Sequence, residues 1–404
     1  MSKRREIILL LAILVLGAGL RLTFALQHTD IDIAFDQKFY YRQAVALAGQ
    51  GTLPEDYVVR PPVYVGFLSA VVRLFGPSVN AIRITQALLS ILGLWACFLL
   101  ARRLLGSKLA LVCTGILAIY PASIIGPWLI LTEFIFTPLL LLAIWAVARA
   151  LNEPGERKWI LVSAVFWGLA ALTRAVAAGY FALVLIVFLI LSRRIRIPRK
   201  TVLLAGVTFL LVISPWTIRN YARYGGFMLI DNTAAFNLWL TNTPDIPIRE
   251  FSRDYWQKIE NPVQRQREGM REGLKSIRSD PAYYTKHCGR RFSKFWSASG
   301  LYPTIDVRKQ MSPRGVGLCR RILAKTSAPM FWVVLVPALA GAAFSLRRGR
   351  YLILSGFIAY LTVAHSLLVA NARHRSPLTP LLIILAVYGA CEFVRRIWAS
   401  GRSS

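Results

Sequence analysis

The sequence predicts an all-α polytopic membrane protein with about ten transmembrane helices. Three observations carry this expectation. The 404 residues are 56% hydrophobic, too apolar for a soluble globule of that size to cover with polar surface. The apolar residues gather in runs near 7–26, 80–101, 108–126, 131–150, 159–178, 180–192, 201–218, 328–346, 351–370 and 377–394. Basic residues recur in alternate connections: Lys3, Arg4 and Arg5, then Arg102, Arg103 and Lys108, Arg157 and Lys158, Arg193 to Lys200, Arg347, Arg348 and Arg350, and Arg395 and Arg396. The positive-inside rule places these loops and both termini in the cytoplasm, so segments 27–79 and 219–327 share the outer face.

Residues 1–218 therefore read as a transmembrane core that includes the outer loop 27–79. Residues 219–327 read as an outer helical region, and 328–404 as C-terminal membrane helices. The first run is as long as a full span and has no convincing small-x-small cleavage site, so it reads as a retained helix. The outer loop opens with Asp30, Asp32 and Asp36. Tyr40, Ala44, Leu47 and Ala48 are then spaced along one face of a short helix ending at Gly49 or Gly51, with Asp36 at its N-cap. An N-cap Asp is used on a backbone N–H and by itself implies no chemistry. Pro61 and Pro62 impose an extended entry to a more hydrophobic helix, Val63 to Phe75, lying at the membrane surface with Tyr64 and Phe67 as interface anchors. Gly76 and Pro77 end it.

In the second outer segment, 258–280 is polar around its whole circumference. Asp280 and Pro281 mark a new helix start, after which Tyr284, Cys288, Phe292, Phe295 and Trp296 share a face. Lys286, Arg290, Arg291 and Lys294 fill much of the remainder. This basic amphipathic helix can lie on anionic lipid or pack on its own domain. The net charge of +30 is largely orientation signal and outer-loop charge, which points to anionic membrane lipids and not to nucleic acid. Cys97, Cys113 and Cys391 read as buried apolar side chains, while Cys288 and Cys319 share the outer region and could pair there. His28, His287, His365 and His374 are scattered, so no ligand spacing supports a metal or other cofactor.

Charges that contradict their surroundings carry the functional information. Glu133 is the one acid placed in a span away from a cytoplasmic end, where a carboxylate must face protein or an aqueous cavity. Arg174, Arg373 and Arg375 fall in short outer connections, where the orientation rule disfavours Arg. Arg219 and Asn220 lie at the same depth. Arg60, Arg174, Arg219, Arg373 and Arg375 would then ring one outer-leaflet site that holds Asp36 and Glu133. Guanidinium groups suit phosphate there, because the fork binds two oxygens and stays charged when partly desolvated.

Seven motifs in order resemble the C-type (GT-C) membrane glycosyltransferases, the superfamily of the protein O-mannosyltransferases and the lipid A aminoarabinose transferase. They are D-x-x-x-Y-x-x-x-A (Asp36, Tyr40, Ala44), R-P-P-x-Y at 60–64, L-T-E at 131–133, L-T-R at 172–174, P-W-x-x-R-N at 215–220, N-x-x-x-T-N-x-P at 237–244, and R-x-R-x-P-x-x-P at 373–380. The resemblance implies a GT-C fold and an enzyme that moves a sugar from a polyprenyl monophosphate donor to an extracytoplasmic acceptor. It implies Asp36 as the catalytic acid-base group and Arg60 facing the donor phosphate. Glu133 falls on the family's second acid, and Arg373 and Arg375 on its C-terminal Arg motif. Tyr40, Arg174, Arg219, Asn220 and Asn242 complete the expected substrate-binding set.

There are two departures. Asp36-Gln37 stands where many relatives have an acidic pair, and the large C-terminal soluble domain of the protein mannosyltransferases is missing, which argues against a bound metal and a protein acceptor. The chemistry expected is an inverting displacement in the cell membrane. A polymerase or ligase using a polyprenyl pyrophosphate donor is the alternative, followed by a transporter and a non-catalytic lipid-binding protein. The transporter reading is weakened because the unusual charges lie on one face and not at the bilayer midplane.

Overall fold

The structure is a computed structural model and describes residues 1–404 except 30–31, 34, 54–57, 153–157, 196, 244–247, 299–317, 347–350 and 401–404. Asp30, Arg157, Pro244, Arg347, Arg348, Arg350 and the side chain of Cys319 lie outside the described residues.

Each apolar run of the sequence holds a helix. The order is α1 (Lys3–Leu26), α2 (Asp36–Gln50), α3 (Pro62–Phe75), α4 (Val79–Leu89), α5 (Ile91–Leu105), α6 (Ser107–Ile119), α7 (Pro121–Ile125), α8 (Glu133–Asn152), α9 (Lys158–Ala171), α10 (Val176–Leu191), α11 (Arg199–Tyr224), α12 (Thr233–Asn242), α13 (Ile248–Phe251), α14 (Pro262–Ser279), α15 (Pro281–Trp296), α16 (Leu318–Ser345), α17 (Leu352–Leu367) and α18 (Thr379–Ser400). Among the described residues six helical stretches are long and apolar enough to cross a bilayer, with α4 and α5 forming one of them. A seventh is formed if α6 and its continuation Pro121–Trp128, bent by 64°, are taken together. Helices α9, α10 and α17 are apolar but only 14, 16 and 16 residues long. A straight span takes about 20 residues.

The bend after α6 has a local cause and a local remedy. Pro121 cannot donate into the ladder, so α6 stops and its last carbonyls lose their partners. Arg21 of α1, 2% exposed, supplies them by donating to Leu117 O and Ala118 O, and it also binds Gly17 O and Ser123 Oγ. That clamp sets the direction in which 126–133 runs toward α8. At the far end of α1, Glu6 pairs with Arg102 of α5 at 3.0 Å, which gathers two of the basic clusters at one end of the bundle. Helices α16 and α18 touch backbone to backbone, since a Cβ on Gly341 would strike Leu385 O and one on Gly389 would strike Pro337 O. Small residues are what allow such an approach between membrane helices.

Three expectations need correcting. Tyr64 is no interface anchor: it is fully buried, and its hydroxyl donates to Gln86 Oε1 at 2.8 Å. Helix α14 is not simply polar all round, because Gly269 and Gly273 bring it against α12. A Cβ on Gly273 would lie 2.7 Å from the Leu238 side chain. The apolar face of α15 is narrower than its spacing suggested, for Phe295 is fully buried while Phe292 is 51% exposed. Helix α15 starts as expected, with Asp280 accepting from Tyr283 N at 2.8 Å. It docks on the protein through Arg291, which donates to Leu367 O at 3.0 Å, and leaves Lys286, Arg290 and Lys294 exposed. Cys97 and Cys113 are buried, Cys391 is exposed, and Cys288 forms no disulfide among the described residues.

Candidate active site

Helix α2 brings Asp36 to the end of the bundle opposite the Glu6–Arg102 pair. Asp36 is not the N-cap. Phe35 takes that position with φ 51° and ψ −126°, and no side chain caps the helix. Positive φ in a non-glycine residue costs about 1–3 kcal/mol. Its effect here is to make Asp36 the first helical residue, with a carboxylate that no backbone N–H consumes. Gln37 holds the turn in place: 2% exposed, it accepts from Ile130 N at 3.1 Å and joins α2 to the segment before α8.

The carboxylate meets guanidiniums from distant parts of the chain. Arg373 Nη2 lies 2.9 Å from Asp36 Oδ2, and Arg60 Nη2 lies 3.6 Å from Asp36 Oδ1. Through its Nε, Arg373 also binds Glu133 Oε1 at 3.1 Å, and Arg174 Nη1 reaches the same oxygen at 2.7 Å. Thr132 Oγ1 donates to Glu133 Oε2 at 3.3 Å. The result is one chain of charges, Arg60–Asp36–Arg373–Glu133–Arg174, in which three guanidiniums face two carboxylates. Side-chain exposure falls along it, from 34% at Asp36 to 10% at Glu133, so Asp36 is the more accessible of the two acids.

Aromatic rings brace the chain. Arg60 sits 5.3 Å from the Phe39 ring centre and 6.0 Å from that of Tyr40, and Arg174 lies 5.7 Å from Phe136. Tyr40 is buried against Tyr64, ring centres 5.2 Å apart. Burial pushes its hydroxyl above the ordinary value, so it stays protonated. Burial acts in the same upward sense on the Asp36 carboxyl, but Arg373 and then Arg60 outweigh it and hold the group below its usual 3.8.

Two cavities adjoin these charges. One of ≈ 270 Å³ is mostly apolar and is lined by Phe67, Leu92, Leu131 and Phe134, with Glu133 and Arg21 also on its wall. The other, smaller one carries both Arg60 and Arg219, together with Phe39, Trp216 and Tyr224. Arg219 is therefore near Arg60 without joining the ion-pair chain. It donates to Asn220 Oδ1 at 3.0 Å and Tyr224 Oη at 3.1 Å and lies 4.6 Å from the Trp216 ring centre.

Three expected substrate contacts have other partners. Asn220 is fully buried and donates to Ile230 O at 3.0 Å, tying the loop after α11 to the helix. Asn242 is buried and accepts from Arg291 at 3.2 Å while donating to Leu238 O. Arg375 donates to Phe295 O and Ser297 O and lies 4.1 Å from the Phe331 ring centre, so it fastens the end of α15. Asn220 and Arg375 were expected from their depth and Asn242 from the motif at 237–244, but their side chains turn to other neighbours.

Among the described residues no three His, Cys, Asp or Glu side chains group as metal ligands. The donor set also does not suit a divalent cation, because Arg373 bridges the two carboxylates and Arg60 and Arg174 flank them.

Residues 59–218 match the family described as dolichyl-phosphate-mannose-protein mannosyltransferase. No curated protein sequence matches the chain. The apo structure of the Archaeoglobus fulgidus oligosaccharyltransferase matches 100% of this chain and 52% of its own, with a TM-score of 0.60 at 16% identity. The same archaeal protein, AglB, in complex with an inhibitory peptide and a dolichol-phosphate, matches 98% of this chain and 52% of its own, with a TM-score of 0.57 at 16% identity. ArnT from Cupriavidus metallidurans bound to undecaprenyl phosphate matches 96% and 78%, with a TM-score of 0.48 at 16% identity. The chain thus spans about half the length of the archaeal structures.

Proposed function

We propose that this chain, whose fold is similar to that of the archaeal oligosaccharyltransferase and whose residues 59–218 match the mannosyltransferase family, is a GT-C membrane glycosyltransferase that transfers a sugar from a polyprenyl monophosphate to an acceptor outside the cytoplasm. The observation that carries the reading is the state of Asp36: a partly exposed carboxylate, free of helix capping, held ionised by Arg373 and Arg60. Arg60 and Arg219 on one cavity wall suit a phosphate, and the apolar cavity reaching Glu133 suits the adjoining lipid chain. The positive-inside pattern supports an extracytoplasmic site with both termini in the cytoplasm.

In this reading the acceptor hydroxyl attacks the anomeric carbon, and the carbon–phosphate oxygen bond breaks from the opposite side, inverting the configuration. The bond pair goes to the phosphate and the hydroxyl proton to Asp36. These two transfers are electrostatically coupled. Ionised Asp36 occupies Arg373 and Arg60, and protonated Asp36 releases them as the phosphate gains its second charge. The guanidiniums then stabilise the leaving group in a site of reduced dielectric, a kind of contribution worth about 10²–10³ in rate per donor. The three guanidiniums and two carboxylates carry one net positive charge, which matches a singly charged phosphodiester donor. Glu133, held by Arg174 and Arg373, keeps that framework in register.

Native mass spectrometry of the detergent-purified wild type beside Asp36→Asn tests the reading, together with a transfer assay. The expected result is an inactive Asp36→Asn that retains a polyprenyl monophosphate sugar. Near-normal transfer by Asp36→Asn, or a retained pyrophosphate-linked oligosaccharide, would sink the assignment.

A further inference from the structure

Arg373 lies in a short 3₁₀ segment, Ala372–Leu378, where successive side chains point about 120° apart. Arg373 faces the two carboxylates, and the two residues after it reach elsewhere. His374 stacks on His365 of α17, ring centres 4.4 Å apart at 17°, and His365 stacks in turn on Phe295 of α15, 5.8 Å apart at 21°. His365 and His374 are each 8% exposed and Phe295 is fully buried. Arg375 donates to the carbonyls of Phe295 and Ser297, so the same end of α15 is gripped twice. His365 Nδ1 bonds to Val369 O at 2.8 Å, and Asn371 Oδ1 accepts from Arg373 N at 3.0 Å. Among the described residues His365 Nε2 and His374 Nδ1 have no hydrogen-bond partner, although both atoms are buried.

We infer that the Phe295–His365–His374 ring stack positions Arg373 between Asp36 and Glu133, and that the outer helix α15 governs transfer through it. The inference rests on the glycosyltransferase reading for its kinetic consequence but not for its geometry. His374 and Arg375 wedge the 3₁₀ segment from both sides and so fix its rotation. A guanidinium roughly 6 Å from a helix axis moves about 1 Å when the helix turns by 10°. A displacement of that size in a positioning group can cost about a hundredfold in rate. The rings act by shape, so the unpaired imidazole nitrogens are not required. His365 and His374 are positioning residues that touch no substrate atom.

The test compares wild type, His374→Ala and His374→Phe in the transfer assay. His374→Ala is expected to lower kcat roughly 100-fold with the donor KM within about threefold, while His374→Phe, which keeps a flat ring, recovers to within about fivefold of wild type. A His374→Ala enzyme with wild-type kcat overturns the inference. So does a His374→Phe enzyme as poor as His374→Ala, which would mean that a ring nitrogen is used. A readout without turnover separates this inference from the function. If His374 sets Arg373 on Asp36, the melting-temperature change caused by Asp36→Asn is smaller in the His374→Ala background, and strict additivity overturns the inference. A wild type that transfers nothing under any donor counts against the glycosyltransferase reading alone, and the melting cycle still decides the ring stack.

Discussion

Replacing Arg373 with Lys keeps the charge and removes the fork. Arg373 uses two different nitrogens, Nη2 for Asp36 at 2.9 Å and Nε for Glu133 at 3.1 Å. A lysine ammonium is a single point and reaches one carboxylate at a time. At about 3 Å and an effective dielectric near 20 each such pair is worth about 5 kcal/mol in Coulomb energy, before desolvation is subtracted. Two facts reduce the net loss. Asp36 is one-third exposed and its pairing is screened, and Glu133 keeps Arg174 at 2.7 Å. The cost should therefore fall below the roughly 3–5 kcal/mol of breaking an isolated buried pair, at about 1–3 kcal/mol. That would appear as a fall of a few degrees in melting temperature in detergent. The kinetic effect should be larger. Arg373 is occupied by Asp36 in the resting site, and in the proposed mechanism it is released as the leaving phosphate charges, so its loss would act on the transition state. Arg373→Lys is expected to lower kcat about 10²–10³-fold with donor KM little changed. A kcat within threefold of wild type would refute the bridging argument, and an equal rise in KM would show that Arg373 already binds the resting donor.

The acid limb of the kcat/KM profile should lie below pH 3.8, because Arg373 and Arg60 hold the Asp36 carboxyl down. Arg60→Gln removes one of these charges, so its acid limb should move upward; an unmoved limb would mean that another group titrates. The matching stability term is fully present above the unfolded-state carboxyl pKa and is lost as pH falls through the lowered folded value. Arg219→Ala should raise donor KM roughly tenfold with kcat nearly intact, the signature of lost ground-state binding, and a selective loss of kcat would contradict its place on the cavity wall. Gly273→Val forces a side chain against Leu238 and should cost about 1–3 kcal/mol, whereas Gly289→Ala on α15 meets nothing within 4 Å and should be neutral or stabilising by up to about 1 kcal/mol. Equal melting temperatures for these two glycine variants would argue against the packing of α14 on α12.

The helices were legible because apolar runs and their basic connections are one-dimensional signals, and each run does hold a helix. That Arg60, Arg174 and Arg373 share one place with Asp36 and Glu133 was legible too, because each is a charge at odds with its surroundings. Azimuth was not. In lipid both the buried and the outward sides of a helix are apolar, so periodicity does not say which way a residue at a given depth turns. Arg219 shares a cavity wall with Arg60 of the ion-pair chain, whereas Arg375, Asn220 and Asn242 bond to backbone or to other side chains. One signal was available and unread. A polar side chain in an apolar run must be paired when buried. Gln86, in RITQALL, is fully buried and donates to Pro127 O and Leu129 O, holding the strand of chain that leads to Glu133.

The start of α2 links local sequence to chemistry most directly. An Asp before a helical run is read as an N-cap because its carboxylate then relieves an orphan N–H. Here the chain moves the cap back by one residue to Phe35, accepts the unfavourable φ of 51°, and forgoes the capping bond. Alone, that is a double loss of stability. It is offset by Gln37 on Ile130 N and by Arg373 and Arg60 on Asp36, contacts from residues far away in sequence. A capped Asp36 would be committed to its own helix, and its protonation would cost the cap. An uncapped one can take a proton and release two guanidiniums without loosening α2. The strain at Phe35 thus separates the folding role of an N-terminal carboxylate from the chemical one proposed for Asp36.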